Sequence, residues 1–400
     1  MRFDTVTNSA ALPLASSRRE RWSAIGTMTM CVAMLIASEF MPISLLTPIA
    51  ADLHATEGMA GQAISISGLF AVIASLFIAT VAGRFDRRRV LMALTGVMLA
   101  SLVLIAIAPN FAVLMVARGL LGITIGGFWA LATATIMRLV PAADVPKALG
   151  IMYTGNGMAT AFAAPIGSYL GGIIGWRGVF WVLVPFVLAN LLWQWFSLPS
   201  MPPRATNPVG KVFRLLGRPH VAIAMVAVML TFGGAFAAFT YFRPFLERYT
   251  QVTVPELSLL LLGLGVAGFI GTYYASAWVG RSLYRLLMGL PLALAAATVA
   301  MLAFGHSFWA VAVAMVAWGA LNAAIPVCWS TWLSRGIEDE PESGGGLMVA
   351  AIQLAIMLGA AFGGMLLDRI SIAATLIGGA VLLVLAALTV GSGRRLMGRG

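Results

Sequence analysis

Residues 23–50 read SAIGTMTMCVAMLIASEFMPISLLTPIA, an apolar run interrupted by one carboxylate, Glu39, and two prolines, Pro42 and Pro48. About 20 helical residues at 1.5 Å each cross the roughly 30 Å of a bilayer's hydrocarbon, so this run is long enough to span it. Eleven similar runs follow, near 58–82, 90–108, 111–139, 149–173, 178–198, 221–242, 255–279, 286–304, 308–334, 347–367 and 371–391. Composition agrees: of 400 residues 60% are hydrophobic and 10% charged, and mean hydropathy is +0.96. A soluble domain carries about 25% charged residues, which it needs to cover a water-facing surface. An all-α integral membrane protein with twelve transmembrane helices is the expectation.

The net charge of +11 would raise nucleic-acid binding in a soluble chain, but here its placement matters more than its size. With the N-terminus inside, the cytoplasmic segments take 20 of the 25 basic residues, from Arg18, Arg19 and Arg21 through Arg84, Arg87, Arg88 and Arg89 to Arg394, Arg395 and Arg399. That asymmetry follows the positive-inside rule and puts both termini in the cytoplasm. The first twenty residues are polar and precede a long apolar segment without a small-residue cleavage site, which speaks against a removable signal peptide.

Residues 199–220 are rich in proline and basic side chains and suit a cytoplasmic linker between two halves. The expected organisation is a tail (1–22), a six-helix bundle (23–198), the linker, a second six-helix bundle (221–391) and a tail (392–400). Two matches at one offset support an internal repeat. Gly83-Arg84 and Gly280-Arg281 follow the second and eighth spans 197 residues apart, and Ala164 and Ala361 are separated by the same interval. Parallel, pseudo-symmetric halves of this kind mark transporters.

A charge at the bilayer centre costs at least about 2.5–3.5 kcal/mol, so an ionisable residue there needs a partner, water or a task. Glu39 in the first span and Arg118 in the fourth stand at similar depth. They read as a proton-coupling pair, directly or through water, or as two separate structural residues, with Arg118 capping carbonyls. Pro42 removes a backbone hydrogen bond beside Glu39 and suits a moving gate. Polar and aromatic side chains within the spans supply a substrate site for a neutral or weakly charged polar ligand; Gln62, Trp129, Asn156, Tyr241, Asn322, Trp329 and Gln353 are the candidates.

Enzyme chemistry finds little support. His54, His220 and His306 stand apart from one another at span ends, Cys31 and Cys328 sit in apolar runs, and no phosphate-cradling glycine motif appears. Neither a cofactor nor a metal centre is expected, and the acidic stretch 338–342 reads as a solvated loop.

Twelve spans, a central linker and the repeated basic loop resemble the major facilitator superfamily over essentially the whole chain. Arg118-x-x-x-Gly122-x-x-x-Gly126 is similar to the fourth-helix motif of its proton-coupled members. Ala164-Pro165-x-Gly167 resembles a degraded fifth-helix antiporter motif, and Asp86-Arg87-Arg88-Arg89 resembles the loop motif after the second helix without its internal glycine. The resemblance implies gating roles for Pro165, Asp86 and Arg87. Glu39-Phe40-Met41-Pro42 is similar to the drug:proton antiporter branch. Met137-Arg138-Leu139-Val140-Pro141, Phe239-Thr240-Tyr241 and Trp329-Ser330-Thr331-Trp332 resemble the branch's purine ribonucleoside exporters. Implied are export of inosine- or guanosine-like nucleosides by proton antiport, alternating access, and a monomer in the bacterial inner membrane with no nucleic-acid partner. An exporter of drugs or sugars on the same scaffold, or a membrane sensor without transport, is the alternative.

Overall fold

A computed structural model describes residues 18–141, 144–203, 214–337 and 339–397. The N-terminal helices are α1 (Arg18–Ser44), α2 (Leu46–Asp52), α3 (Glu57–Ala82), α4 (Arg87–Ile107), α5 (Phe111–Leu139) and α6 (Val145–Ser197). The C-terminal set is α7 (Pro219–Phe239), α8 (Phe242–Phe245) with a π-helical turn at Leu246–Thr250, α9 (Val254–Ala303), α10 (Phe308–Gly336), α11 (Pro341–Arg369) and α12 (Ile372–Val390).

Ten of the described helices are long and apolar enough to cross a membrane, yet two of them are too long for one crossing. α6 has 53 residues and α9 has 50, each roughly 75–80 Å if straight. Each breaks once. Gly175 adopts φ 72, a left-handed conformation that a side chain resists, and Ser282 leaves the helical region at φ −134 and ψ 25. The two arms of each helix bring the crossings to the expected twelve. The first crossing is also interrupted: beyond Pro42 the helix runs only to Ser44, Leu45 N–H bonds Pro42 O at 3.2 Å, and α2 completes the passage.

Local chemistry sets several ends. Asn110 accepts from Val113 N–H at 3.0 Å to open α5, and Ser371 accepts from Ala374 N–H at 3.1 Å to open α12. Glu256 takes the N–H of Thr253 at 2.7 Å at the start of α9. Large apolar side chains such as Phe196 (83% exposed) and Trp309 (78% exposed) point outward, as a lipid-facing surface requires. This is a multi-pass membrane protein.

One end of the molecule gathers the start of α1, the α4 N-terminus, both ends of the linker and residues 391–397; it is called here the basic end. There the described bonds stay within one set of helices: Ser23 with Ser197 at 2.8 Å, Arg138 with Pro202 O at 2.6 Å, Arg218 with Asp339 at 2.6 Å, Trp332 with Leu396 O at 3.1 Å. At the far end the two sets are bonded to one another. Thr47 donates to Glu247 at 2.6 Å, Arg248 to Glu57 at 2.5 Å, Thr56 to Asp368 at 2.6 Å, and Arg243 to Ser44 O. Between the two ends, α3 packs along α11 and α6 along α9. Hydrogen bonds thus join the two sets at the far end.

Candidate functional site

Arg118 is wholly buried on α5, and its guanidinium is spent on backbone and hydroxyl oxygens. Nε donates to Ala63 O at 3.0 Å, Nη1 to Ser38 O at 2.9 Å and Nη2 to Ser67 Oγ at 3.1 Å. These acceptors lie on α1 and α3, so one side chain ties three helices. The glycines that follow make this possible. A Cβ at Gly122 would sit 2.1 Å from Ser67 O and one at Gly126 would sit 1.9 Å from Ala71 O. The Arg-x-x-x-Gly-x-x-x-Gly spacing puts a donor and two smooth backbone steps on the α3-facing side of one helix.

Glu39 lies on α1 at 7% exposure and feels the charge of Arg118, but no ion pair joins them among the described residues. The direct pairing that similar depth suggested is not formed in this state; three of the five guanidinium N–H groups go instead to oxygens of α1 and α3. The side chain beside the Glu39 carboxyl is Gln353 of α11, from the other half. Gln353 is 7% exposed, and its amide is the hydrogen-bonding group that lies at that carboxylate.

The remaining candidates separate. Gln62 Nε2 reaches Ala361 O at 3.5 Å, on the seam between halves. Trp129 stacks on Tyr153 with ring centroids 5.9 Å apart, and Asn156 and Asn322 are half-buried on α6 and α10. Tyr241 is different. It is fully enclosed, its hydroxyl donates to Ala360 O at 2.8 Å, and it wedges against Gly61, Gly363 and Gly364. In this state neither its ring nor its hydroxyl is accessible. Trp329, 1% exposed, is likewise closed off, its ring edge-to-face with Trp332 at 5.9 Å.

Of the gating candidates, Pro42 stands at the α1 break. Pro165 is buried in α6, two residues before Gly167, where a Cβ would lie 2.9 Å from Ser44 Oγ. The proline-glycine stretch of α6 thus lies against the interrupted end of α1. Asp86 caps α4, accepting from Arg88 N–H at 2.8 Å, and also from Ser200 Oγ at 2.5 Å and Met201 N–H at 2.9 Å. Burial pushes its carboxyl up, yet these donors outweigh burial and hold it below its ordinary value. Arg87 N–H bonds Met201 O at 2.9 Å, so this loop is strapped to the start of the linker.

The far-end clasp of Arg243, Glu247, Arg248, Glu57 and Asp368 escaped sequence reasoning. Charges at span ends read as ordinary interfacial residues. The usable signal was the i, i+4 spacing of Arg243 and Glu247, which bond at 2.7 Å.

A buried carboxylate on a seam between two helical sets, closed at one end, defines a multi-pass membrane transporter. Residues 28–340 match the family model of the Major Facilitator Superfamily, and the chain belongs to that family. It is 47% identical over 384 residues to the transcription regulatory protein OpdE of Pseudomonas aeruginosa, covering 94% of this chain and 96% of that one. It is 40% identical over 372 residues to the purine ribonucleoside efflux pump NepI of Salmonella enteritidis, covering 93% and 94%. Among solved structures, an inward-facing, unoccupied bacterial homologue of the human lysosomal transporter Spinster superposes with a TM-score of 0.76 at 18% identity, covering 94% of this chain and 97% of that one. The fold is shared with it.

Proposed function

We propose that the chain exports purine ribonucleosides by proton antiport across the bacterial inner membrane. The observation that carries this reading is Glu39: a buried carboxylate of one half lies beside the buried amide of Gln353 in the other, beneath a closed end. Full-length similarity to a purine ribonucleoside efflux pump supplies the substrate class. The basic end is cytoplasmic, which puts the bonded far end outside and makes the described state inward-facing. Residues 23–198 and 221–391 move as two bodies about the linker 199–220, and one copy of the chain suffices.

In this cycle Glu39 takes a proton while the site faces outward and releases it inward, and substrate leaves in the opposite sense. Arg118 shapes the field at the carboxyl and holds α1 and α3 to α5. Gln62, Trp129, Asn156, Asn322 and Gln353 line the substrate path, while Pro42, Pro165, Asp86 and Arg87 act at the hinges and gates.

The test is uptake of radiolabelled inosine into inverted vesicles with and without an imposed pH gradient. Gradient-driven uptake that Glu39→Gln abolishes is the expected result; equal gradient-driven uptake by the variant refutes proton coupling through Glu39. The relative named as a transcription regulatory protein favours a second reading, in which the chain affects expression through the compound it moves. A reporter that responds alike to a deletion and to the transport-dead Glu39→Gln variant would favour this second reading, whereas one that responds to the deletion alone would refute it.

A further inference from the structure

At the basic end the N-terminal set of helices holds a pocket of about 240 Å³. Four elements meet around it. The first turn of α1 brings Glu20 and Arg21, the first turn of α4 brings Arg88, the last residue of α5 is Leu139, and the end of α6 brings Phe196 and Ser197. Glu39 lies on the same helix α1 but about 27 Å further along it than Arg21, so this pocket is separate from the site on the seam.

Two guanidinium groups in the lining have bonding capacity to spare. Arg21 is half-buried and makes no hydrogen bond or ion pair among the described residues. Arg88 is also half-buried; it sits over the Trp195 ring at 5.8 Å and gives one N–H to Trp195 O. A guanidinium offers five N–H donors, so most of those around the pocket remain for another acceptor. Against the two arginines stands one carboxylate, Glu20, which leaves the lining with a net positive charge of one.

The surroundings are those of a membrane surface. Phe196 is 83% and Trp195 60% exposed, and with Leu192 (55%) and Leu188 (44%) they form an outward stripe on α6 that runs from the hydrocarbon zone to the pocket. Beside it, Lys147 Nζ lies 5.1 Å over the Trp22 ring and Trp193 Nε1 donates to Ser23 Oγ at 2.9 Å. Tryptophan and basic side chains collect at the level of lipid headgroups. An apolar track thus ends at a cationic recess at that level.

We propose that this pocket binds the phosphodiester of an anionic phospholipid, whose acyl chains lie along Leu188, Leu192 and Phe196. Arg21 and Arg88 donate charge-assisted hydrogen bonds to the phosphate oxygens, and one phosphodiester charge answers the net charge of the lining. Hydroxyls on the headgroup, as in phosphatidylglycerol, give Glu20 and Ser197 partners, while the carboxylate repels a second negative charge. The bound lipid fastens the first turn of α1 to the ends of α4 and α6. The inference needs only a chain that crosses a membrane and does not depend on which substrate it carries.

The test is native mass spectrometry of the full-length protein in detergent, titrated with phosphatidylglycerol, phosphatidylcholine or phosphatidylethanolamine of the same acyl chains. Phosphatidylglycerol binds tightest to the parent. Arg21→Gln and Arg88→Gln each weaken it about fivefold, the effect of one basic residue near an anionic lipid, and Arg281→Gln, an exposed arginine of the other half, does not. Unchanged affinity in either pocket variant, an equal loss in Arg281→Gln, or no preference over the two zwitterionic lipids overturns the proposal. Displacement of the lipid by millimolar inorganic phosphate shows a site for a soluble anion and also overturns it. Should a glutamine variant fail to fold, the parent in vesicles still decides. Phosphatidylglycerol with a photoactivatable headgroup labels residues 19–22 or 196–199, and label confined to other segments refutes the site.

Discussion

Thr47 Oγ1 donates to Glu247 Oε2 at 2.6 Å, a bond from the broken end of the first crossing to the π-helical turn of the other half. The same carboxylate receives Arg243 Nε at 2.7 Å, and Arg243 reaches on to Ser44 O. One glutamate thus closes a loop of four groups in which both halves take part. The loop sits where the α1 break leaves carbonyls free to accept.

Glu247→Gln leaves the geometry but removes the charge that Arg243 answers. Charge-assisted bonds of this kind are worth about 1.5–3 kcal/mol, so the far end should open more often by about tenfold or more. Labelling of a cysteine at Ser65, which sits on the seam with its hydroxyl on Met357 O at 3.0 Å, reads this out. Native Cys31 and Cys328 are buried and add little background. An unchanged labelling rate would show that the clasp does not hold the closed state.

Arg118→Ala strips three buried acceptors of their donor at once. Removing one member of a buried charged network costs about 3–5 kcal/mol, and detergent-solubilised variant protein should unfold at a clearly lower temperature. Arg118→Lys, a point donor without the planar fork, should recover part of the loss. Full recovery by lysine would mean that charge alone matters and the three-way hydrogen bonding does not.

Glycine positions divide sharply. Gly126→Ala drives a methyl into Ala71 O, with overpacking costs of about 1–3 kcal/mol or more and poor membrane accumulation expected. At Gly96, where nothing lies within 4 Å, alanine should instead stabilise by about 0.5–1 kcal/mol through reduced backbone freedom. Equal thermal stability of the two variants would refute the close-packing account of the fourth-crossing glycines.

At the basic end Arg218 grips Asp339 with two bonds, 2.8 and 2.6 Å, and these hold the Asp339 carboxyl down at about 2. A folded-state value below the ordinary value of about 3.9 means the pair's contribution is complete above about pH 4 and lost as pH falls through about 2. The attachment of Arg218 to Asp339 should therefore be constant across physiological pH. Limited proteolysis near Arg218 should be unaffected from about pH 5 to 8 and enhanced by Asp339→Asn; pH-dependent cleavage in that range would contradict it.

Much of the fold was legible in order along the chain. Apolar length marked the crossings, the run of Arg84, Arg87, Arg88 and Arg89 marked the basic end, and Gly175 lay between the crossings expected at 149–173 and 178–198. The break at Ser282 was less evident, because serine is at home in a helix and only packing pulls it out of the helical region. In the site, Glu39 and Arg118 stood out at once, since charge amid apolar residues is conspicuous in any reading.

By itself, then, the sequence determined that this chain crosses a bilayer twelve times in two related halves and which ionisable groups enter it. Both are consequences of the local cost of placing polar groups in hydrocarbon. Only the tertiary structure decided that Arg118 serves carbonyls instead of Glu39, that Gln353 stands beside that carboxylate, and that Tyr241 is walled in. Those outcomes depend on the rotation and register of helices hundreds of residues apart, and helical periodicity constrains what lies on a face without saying which face it will meet.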